Sequence, residues 1–503
     1  MAENEKKKVR IRLERHLWPD EIQQRKRKKQ VTALMIASLV LVFAVGFLLG
    51  GSLQPQALQS SLSQNESFAQ AKLNSIYSIM KNEWYFGKED ENLEQDLIDA
   101  ALYGMSSSSL DPHTTYMSAE ETLAFSTSID NNFVGIGIQY YSGTGLKVVT
   151  RVFVDSPAYE AGLQAGDILV AADGTALADL SSDEVAALVK GEAGTQVQLE
   201  VLRNNEPLTL TITRREVNTT VFGEMIDEAT GYLQIMSFGS TTGEECGRYL
   251  DLMSEQGLQQ LVIDLRDNGG GYLDALVSVA NLFLPADTLI MTQEYKDGQT
   301  VQTLTTGGNR ENIQQIVILI NQDTASASEV LAMALKEQRD DVTLVGTTSY
   351  GKGSVQVQRP FADGSVLKYT NSRWLTPKGE WINGVGIEPD VTETLPEVFQ
   401  CTLVSFVMEE EESYQQDQVS EHVASAQKAL NFLGYATERT DGYFDDSTQS
   451  ALSRYQSENN LTADGVLDGA TLQSLYSSVQ YAWSTDKSLD NQLQRAVTIL
   501  HEQ

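Results

Sequence analysis

Cysteine, histidine and basic charge are what this 503-residue chain has least of. Its two cysteines, Cys246 and Cys401, can form one disulfide at most. A disulfide framework is therefore excluded, and two unpaired, buried thiols are the expected state. The four histidines are His16, His113, His422 and His501. None joins cysteine at metal-ligand spacing, so no metal site is expected, and none accompanies a second catalytic-looking motif, so a Ser-His-Asp triad finds no support. Lys and Arg number 36 against 69 Asp and Glu, a formal charge of −33. The deficit is uneven: residues 1–30 hold 11 basic and 5 acidic residues, and the rest holds 25 and 64. So acidic a body argues against nucleic acid as a partner. Any anionic polymer would have to be recognised by shape and hydrogen bonds rather than by net attraction.

What is present is apolar enough to fold. Hydrophobic residues make up 41% of a chain long enough for two to four domains. Charge disappears altogether from Val31 to Leu53, 23 residues that follow the basic run Arg25–Lys29. A bilayer takes about 20 apolar residues. The stretch is too long for a signal-peptide core, and no small-x-small cleavage site follows it. It is expected to be a single-pass signal anchor at the cell membrane, with residues 1–30 cytoplasmic and the body on the extracytoplasmic side. Residues 54–66 suit a tether, and 67–130 carry helical periodicity around the turn Ser109–Glu121.

From 131 to 217 the chain is strand-rich, with runs such as LKVVTRVF and QVQLEVLR and two short helices at 156–163 and 182–189. The run SPAYEAGLQAGDILVAADG resembles a PDZ domain of the circularly arranged kind found in bacterial proteases. That resemblance implies recognition of a peptide C-terminus as an added strand. The matching loop is Gly135-Ile136-Gly137-Ile138, whose glycines would admit the ligand backbone and whose isoleucines would floor the groove. Lys190, before Gly191, matches a basic position that in some relatives couples peptide binding to the active site.

The stretch from Asn321 to Gln358 carries the chemistry. Ser326 precedes an apolar helix pattern, with Glu329 three residues on, the spacing of a capping box. A serine there faces outward-pointing N–H groups. A strand, VTLVG, then leads to Gly351-Lys352-Gly353 and a second strand, on which Lys352 and Gln356 share a face. Taken alone, Ser326 is a helix cap and Lys352 a loop lysine. Gly346–Lys352 nearly spells a phosphate-binding loop, but Gly353 replaces the Ser/Thr and a strand follows where a helix is needed. A lysine serves as base to a serine nucleophile when burial keeps it neutral. The patterns TASASEVLAMALK, VGTTSYGKGSVQ and TPKGEWINGVGIEPDV together resemble the carboxyl-terminal processing proteases, also called tail-specific proteases.

That resemblance spans roughly residues 70–395. It implies Ser326 as nucleophile, Lys352 as base and Gln356 as the residue orienting it. The serine-to-lysine gap is one residue longer than the family's, which leaves Ser328 as an alternative to Ser326. Asp264–Gly271 resembles the family's oxyanion turn with Gly269 in place of proline. The implied backbone donors are Gly270, with Gly271 as alternative, and Ala327. His113 falls in a matching Leu-Asp-Pro-His run and reads as structural. No cofactor is implied.

Beyond an acidic linker at 401–419, Asp441-Gly-Tyr-Phe-Asp445 with Thr448 recurs 23 residues later as Asp464-Gly-Val-Leu-Asp468 with Thr471. Residues 420–479 resemble a three-helix peptidoglycan-binding domain, making peptidoglycan a candidate partner. Asp-Gly turns are equally plain helix connectors. Residues 480–503 form a charged, helix-compatible tail without functional signal.

The expected architecture is multidomain, α+β and α/β: a transmembrane helix, a PDZ β-sandwich or barrel, an α/β serine-protease core over 218–400, and the small helical domain. The expected function is an endopeptidase cleaving proteins near their C-termini. The rivals are a non-catalytic, wall-attached PDZ scaffold and a wall-remodelling hydrolase. The latter lacks any glycosidase carboxylate pair or zinc-amidase pattern. A homodimer is neither indicated nor excluded.

Overall fold

The computed structural model describes residues 65–502 except 144, 145 and 410. Two helices open it, Asn65–Glu83 (α1) and Leu93–Ser106 (α2). The expected spanning segment, 31–53, lies outside the described residues, as do 1–30 and the tether up to 64. Among the described residues no helix is long and apolar enough to cross a membrane. The longest, α1, has 19 residues but carries Lys72, Lys81 and Glu83. The fold class is corrected accordingly: the described structure is mixed α/β, and no membrane-spanning helix is part of it.

A short strand Thr115–Met117 (β1) and helix Ala119–Asp130 (α3) lead into the β-rich domain. Ser118 caps α3 and Glu121 returns the bond to its N–H. Strand Asn132–Gly135 (β2) is followed by Ile138–Gly143 (β3), Leu146–Val152 (β4), helix Pro157–Glu160 (α4), Ile168–Ala172 (β5), Thr175–Ala176 (β6), helix Ser182–Val189 (α5), Gln196–Arg203 (β7), Glu206–Thr213 (β8) and Arg215–Asn218 (β9). The sheet runs β3-β4-β5-β7-β8, with β6 on β5, while β2 pairs with β9. Alternation explains it: in β7, Val197, Leu199 and Val201 point inward onto Ile136, Leu169 and Val185, and the residues between them face water. Strand β3 is left at the sheet edge.

The next domain is built on Val221–Met225 (β10), Thr230–Ile235 (β11), helix Thr242–Glu255 (α6), Gln260–Asp264 (β12), helix Leu273–Asn281 (α7), Leu289–Tyr295 (β13), Thr300–Leu304 (β14), Gln315–Ile320 (β15), helix Ala327–Gln338 (α8), Val342–Gly346 (β16), Ser354–Pro360 (β17), Val366–Leu375 (β18) and Val391–Thr392 (β19). One sheet runs β10-β11-β12-β15-β16-β19 and is parallel from β11 onward. Both faces are covered, so β15 is apolar throughout, QIVILI. Helices α6, α7 and α8 cover one face, burying Leu250, Leu276 and Leu331 against Ile263 and Ile318. A second sheet, β1-β18-β13-β14, carries β17 on β18 and places that strand at its edge.

Helices Glu421–Phe432 (α9), Asp446–Glu458 (α10) and Gly469–Thr485 (α11) form the C-terminal module around Phe444, Leu452, Tyr455 and Leu472. Its internal repeat is a repeated helix start: Asp445 accepts the Thr448 N–H and Asp468 the Thr471 N–H. The chain then returns to the core. Helix Asn491–Glu502 (α12) covers the other face of the parallel sheet, setting Leu493, Ala496 and Leu500 on Tyr232, Val262 and Val317. The tail that looked featureless is thus a structural layer of the parallel-sheet domain. Cys246 is free and buried, whereas Cys401 is free and only partly buried.

Candidate active site

Ser326 stands at the start of α8 with φ 57° and ψ −118°, a conformation that non-glycine residues rarely hold. Such strain costs about 1–3 kcal/mol and must be enforced by the surroundings. The enforcing group is Glu329, which is fully buried. One carboxylate oxygen accepts the N–H of Ser326 at 2.8 Å and that of Lys352 at 2.9 Å. The other accepts the Gly351 N–H at 2.7 Å and the Ser349 hydroxyl at 2.6 Å. One carboxylate therefore ties the serine to the segment bearing the lysine. That segment is also held from outside, where Trp374 and Trp381 donate their indole N–H groups to the carbonyls of Lys352 and Gly353.

Ser326, Lys352 and Gln356 line one cleft of about 630 Å³ together with Gly270, Ala327 and Lys368. Ser328 does not line it. That residue is fully buried and donates its hydroxyl to the Asn268 carbonyl at 2.9 Å. Burial pushes the Lys352 ammonium below its ordinary value, and the like charge of Lys368 pushes it further, against the opposing pull of Glu329 and Asp111. Among the described residues the Lys352 ammonium has no hydrogen-bond or ion-pair partner. Ser326 and Lys352 thus share one cleft without a hydrogen bond between hydroxyl and ammonium, and a serine with a desolvated lysine is a pair whose chemistry suits nucleophile and base.

Two of the sequence-derived assignments meet a different geometry. The Gln356 amide donates to Ser354 Oγ at 2.9 Å and to Thr370 Oγ1 at 3.0 Å, and no hydrogen bond joins it to Lys352. The Gly270 backbone is seated against Ser326, where an added Cβ would lie 2.8 Å from Ser326 Cβ. Its N–H, however, is already given to Asn268 Oδ1 at 2.9 Å. An asparagine side chain that folds onto the N–H two residues on is a common turn closure. Among the described residues the N–H groups of Gly271 and Ala327 donate to no protein acceptor, and neither does that of Gly269; all three residues line the cleft, so Gly270 is the turn glycine whose donor is already committed.

The model for peptidase family S41 matches residues 229–393, that for a putative peptidoglycan binding domain 419–475, and that for a PDZ domain 148–203. The carboxy-terminal processing protease CtpA of Bacillus subtilis (strain 168) is 31% identical over 480 residues, covering 95% of this chain and 100% of that protein. The chain belongs to the carboxy-terminal processing protease family. CtpB of the same organism is 31% identical over 438 residues, covering 86% of this chain and 89% of that protein. A probable CtpA-like serine protease of Staphylococcus epidermidis (strain ATCC 12228 / FDA PCI 1200) is 31% identical over 414 residues, covering 82% of each. This protein is accordingly a serine-type carboxy-terminal processing protease with a PDZ domain and a peptidoglycan-binding domain.

In the PDZ domain, Gly135, Ile136 and Gly137 are buried, and Ile138 begins the edge strand. Ile136 belongs to the domain core at 1% exposure, so it supports the loop from beneath, and only Ile138 is half-exposed. Gly137, at φ 77°, has no room for a side chain: a Cβ would lie 2.3 Å from Ser156 Cβ. Lys190 sets its ammonium over the Phe133 ring at 4.8 Å, beside this loop.

Three contributors to the cleft escaped the sequence reading. Glu329 was legible as a cap but not as a bridge. Lys368, half-buried on β18, lies over Phe125 at 4.6 Å. The Asp111–Thr114 turn, taken as structural, lies within electrostatic reach of Lys352. Thr114 Oγ1 accepts the Thr370 N–H at 3.0 Å, and Thr370 in turn holds Gln356. Their signal is spatial, because each approaches Lys352 from a different element: Glu329 from helix α8, Lys368 from β18 and Asp111 from a turn.

Proposed function

We propose that this protease cleaves polypeptides near their C-termini through an acyl-enzyme, with Ser326 as nucleophile and Lys352 as base. The observation that carries the reading is the single buried carboxylate of Glu329, which ties both residues' backbones at the wall of one cleft. Neutral Lys352 takes the Ser326 proton as the hydroxyl oxygen attacks the scissile carbonyl, and returns it to the leaving amine. The N–H groups of Ala327 and Gly271 receive the oxyanion. Water then attacks the ester, again with Lys352 as base. Gln356 holds the lysine's surroundings through Thr370 and Ser354 and keeps its amide oxygen free to accept from the ammonium. The substrate's C-terminal residues add to β3 at its Ile138 end, with the carboxylate at the loop 135–138, while α11 seats on the same strand at Tyr141. The peptidoglycan-binding module supports work outside the cytoplasm, at the cell wall.

The test follows an unstructured peptide with a free C-terminus by mass spectrometry, using the full chain. Cleavage by wild type and its loss in Ser326→Ala and in Lys352→Ala support the pair. Survival in Ser326→Ala with loss in Ser328→Ala moves the nucleophile by two residues. Equal cleavage of an amidated peptide removes the C-terminal recognition. No cleavage of any peptide by wild type favours a scaffold.

A further inference from the structure

We infer that Asp490 is a positioning residue for the oxyanion turn, acting through Arg266. The inference rests on Ser326 being the nucleophile beside that turn.

The turn leaves β12 at Asp264 and reaches Gly271 beside Ser326. Arg266, within it, is 9% exposed, and Asp264 is 1% exposed. Arg266 donates from Nε to Asp264 Oδ1 at 2.9 Å and from Nη2 to Asp264 Oδ2 at 2.6 Å. Its outer edge faces a second carboxylate. Nη1 donates to Asp490 Oδ1 at 3.0 Å, Nη2 to Asp490 Oδ2 at 2.7 Å, and Nη1 also to Gln492 Oε1 at 2.9 Å. A fork-on-fork pair of this kind fixes direction as well as distance.

The outer partners lie at the entry to α12, Asp490 just before the helix and Gln492 in its first turn, and they are themselves fixed. Asp490 Oδ1 accepts the Leu493 N–H at 3.0 Å, and Gln492 Nε2 donates to the Glu393 carbonyl at 2.6 Å. Arg266 lies two residues before Asn268, which carries its position onward. The Asn268 carbonyl accepts the Ala325 N–H and the Ser328 hydroxyl, while its side chain holds the Gly270 N–H. The residue between them, Asp267, is pinned by a reciprocal pair of bonds with Asn321. A shift of Arg266 therefore moves the amide of Gly271 relative to Ser326.

Removing the Asp490 charge leaves a buried guanidinium with one carboxylate instead of two, which a buried cation tolerates poorly. A displacement of about 1 Å at a site of this kind costs on the order of a hundredfold in rate. The module between the core and its last helix is thus wired to the active site. Its helix α11 also seats on β3 of the PDZ domain, where Tyr141 donates to the Ser477 carbonyl at 2.8 Å. The catalytic core, the PDZ domain and the wall-binding module meet along one segment.

The test is Asp490→Asn in the full chain. Asparagine keeps the size and one acceptor oxygen for the cap, while it removes the charge and the second acceptor facing the Arg266 fork. The expected result is a kcat at least tenfold lower with KM within twofold. Affinity for a peptide aldehyde, which forms a tetrahedral adduct with the nucleophile, falls by the same factor as kcat/KM. Asp490→Glu, which returns the charge, recovers part of kcat. Should Asp490→Asn fail to fold, Gln492→Ala decides instead, with a smaller loss of kcat in the same direction. Unchanged kcat and aldehyde affinity, or a change confined to KM or to melting temperature, overturns the inference. Ser326→Ala is measured alongside. If it cleaves like wild type, the nucleophile assignment fails; if it is inactive while Asp490→Asn is unimpaired, only the positioning role fails.

Discussion

Lys352 donates its backbone N–H to Glu329 at 2.9 Å, across 23 residues of sequence, through the oxygen that also receives Ser326. A side chain in the first turn of helix α8 thereby ties together the backbones of the proposed nucleophile and base. Glu329→Gln replaces one acceptor oxygen by an NH₂ group aimed at N–H donors. Up to two of the four bonds are lost, and a buried donor is left unpaired. The expected outcome is a kcat about a hundredfold lower and a stability loss of about 1–3 kcal/mol. Steady-state cleavage of a single-site peptide and a denaturant melt check the two parts separately.

The pH dependence follows from Lys352. Its pKa is depressed below the ordinary 10.5 by burial, and further by Lys368. On the proposed mechanism, the lysine protonated below that lowered pKa cannot accept the Ser326 proton. The kcat/KM of the protease therefore rises with pH through one deprotonation limb and then levels off. Lys368→Met removes the like charge, so the Lys352 pKa moves up and the limb shifts to higher pH. A pH–rate profile of both proteins measures the shift; a limb that moves to lower pH, or stays in place, contradicts the assignment.

What the sequence made legible was local. Ser326 with Glu329, and Lys352 with Gln356, are patterns within five residues, and helix and strand periods carry them. The alternation in β7 and the apolar run of β15 located both main sheets for the same reason. What it hid depended on partners far along the chain. The Glu329 reach to 351–352, the Lys368 approach from β18 and the Asp490 bond to Arg266 each require a folded neighbour. The commitment of Gly270 N–H to Asn268 hid for another reason: it depends on a side-chain rotamer, which residue identity does not dictate. The last helix shows the limit most plainly. Its amphipathic pattern fits a surface helix as well as one covering a sheet, and only the fold assigns Leu493 and Leu500 to the core.

Ser326 is held in a strained backbone conformation, and that strain is measurable. Glycine accepts positive φ freely, so Ser326→Gly is expected to be inactive yet more stable than Ser326→Ala by about 1 kcal/mol. Ser328→Ala removes a buried hydroxyl bond to Asn268 and is expected to cost about 1 kcal/mol while retaining activity. Denaturant melts of the three variants, with peptide cleavage alongside, give the ranking. A Ser326→Gly protein no more stable than Ser326→Ala would falsify the strain argument.

The contact between the C-terminal helical module and the PDZ domain is narrow enough to cut. Tyr141 and Tyr481 meet edge to face with centroids 5.2 Å apart, and the Tyr141 hydroxyl donates to the Ser477 carbonyl. An aromatic pair of this kind contributes about 0.5–1.5 kcal/mol beyond area. Both rings lie away from the cleft, which neither of them lines. Tyr481→Ala is therefore expected to loosen the seat of α11 on β3 without unfolding either part. Limited proteolysis should then cut sooner in the connections flanking the module, and hydrogen exchange should rise along β3. Tyr141→Phe keeps the ring pair and loses only the hydroxyl bond, so its effect should be the smaller of the two. If β3 exchanges at the wild-type rate in Tyr481→Ala, the PDZ edge is held by its own domain alone, and the module is a neighbour rather than a support.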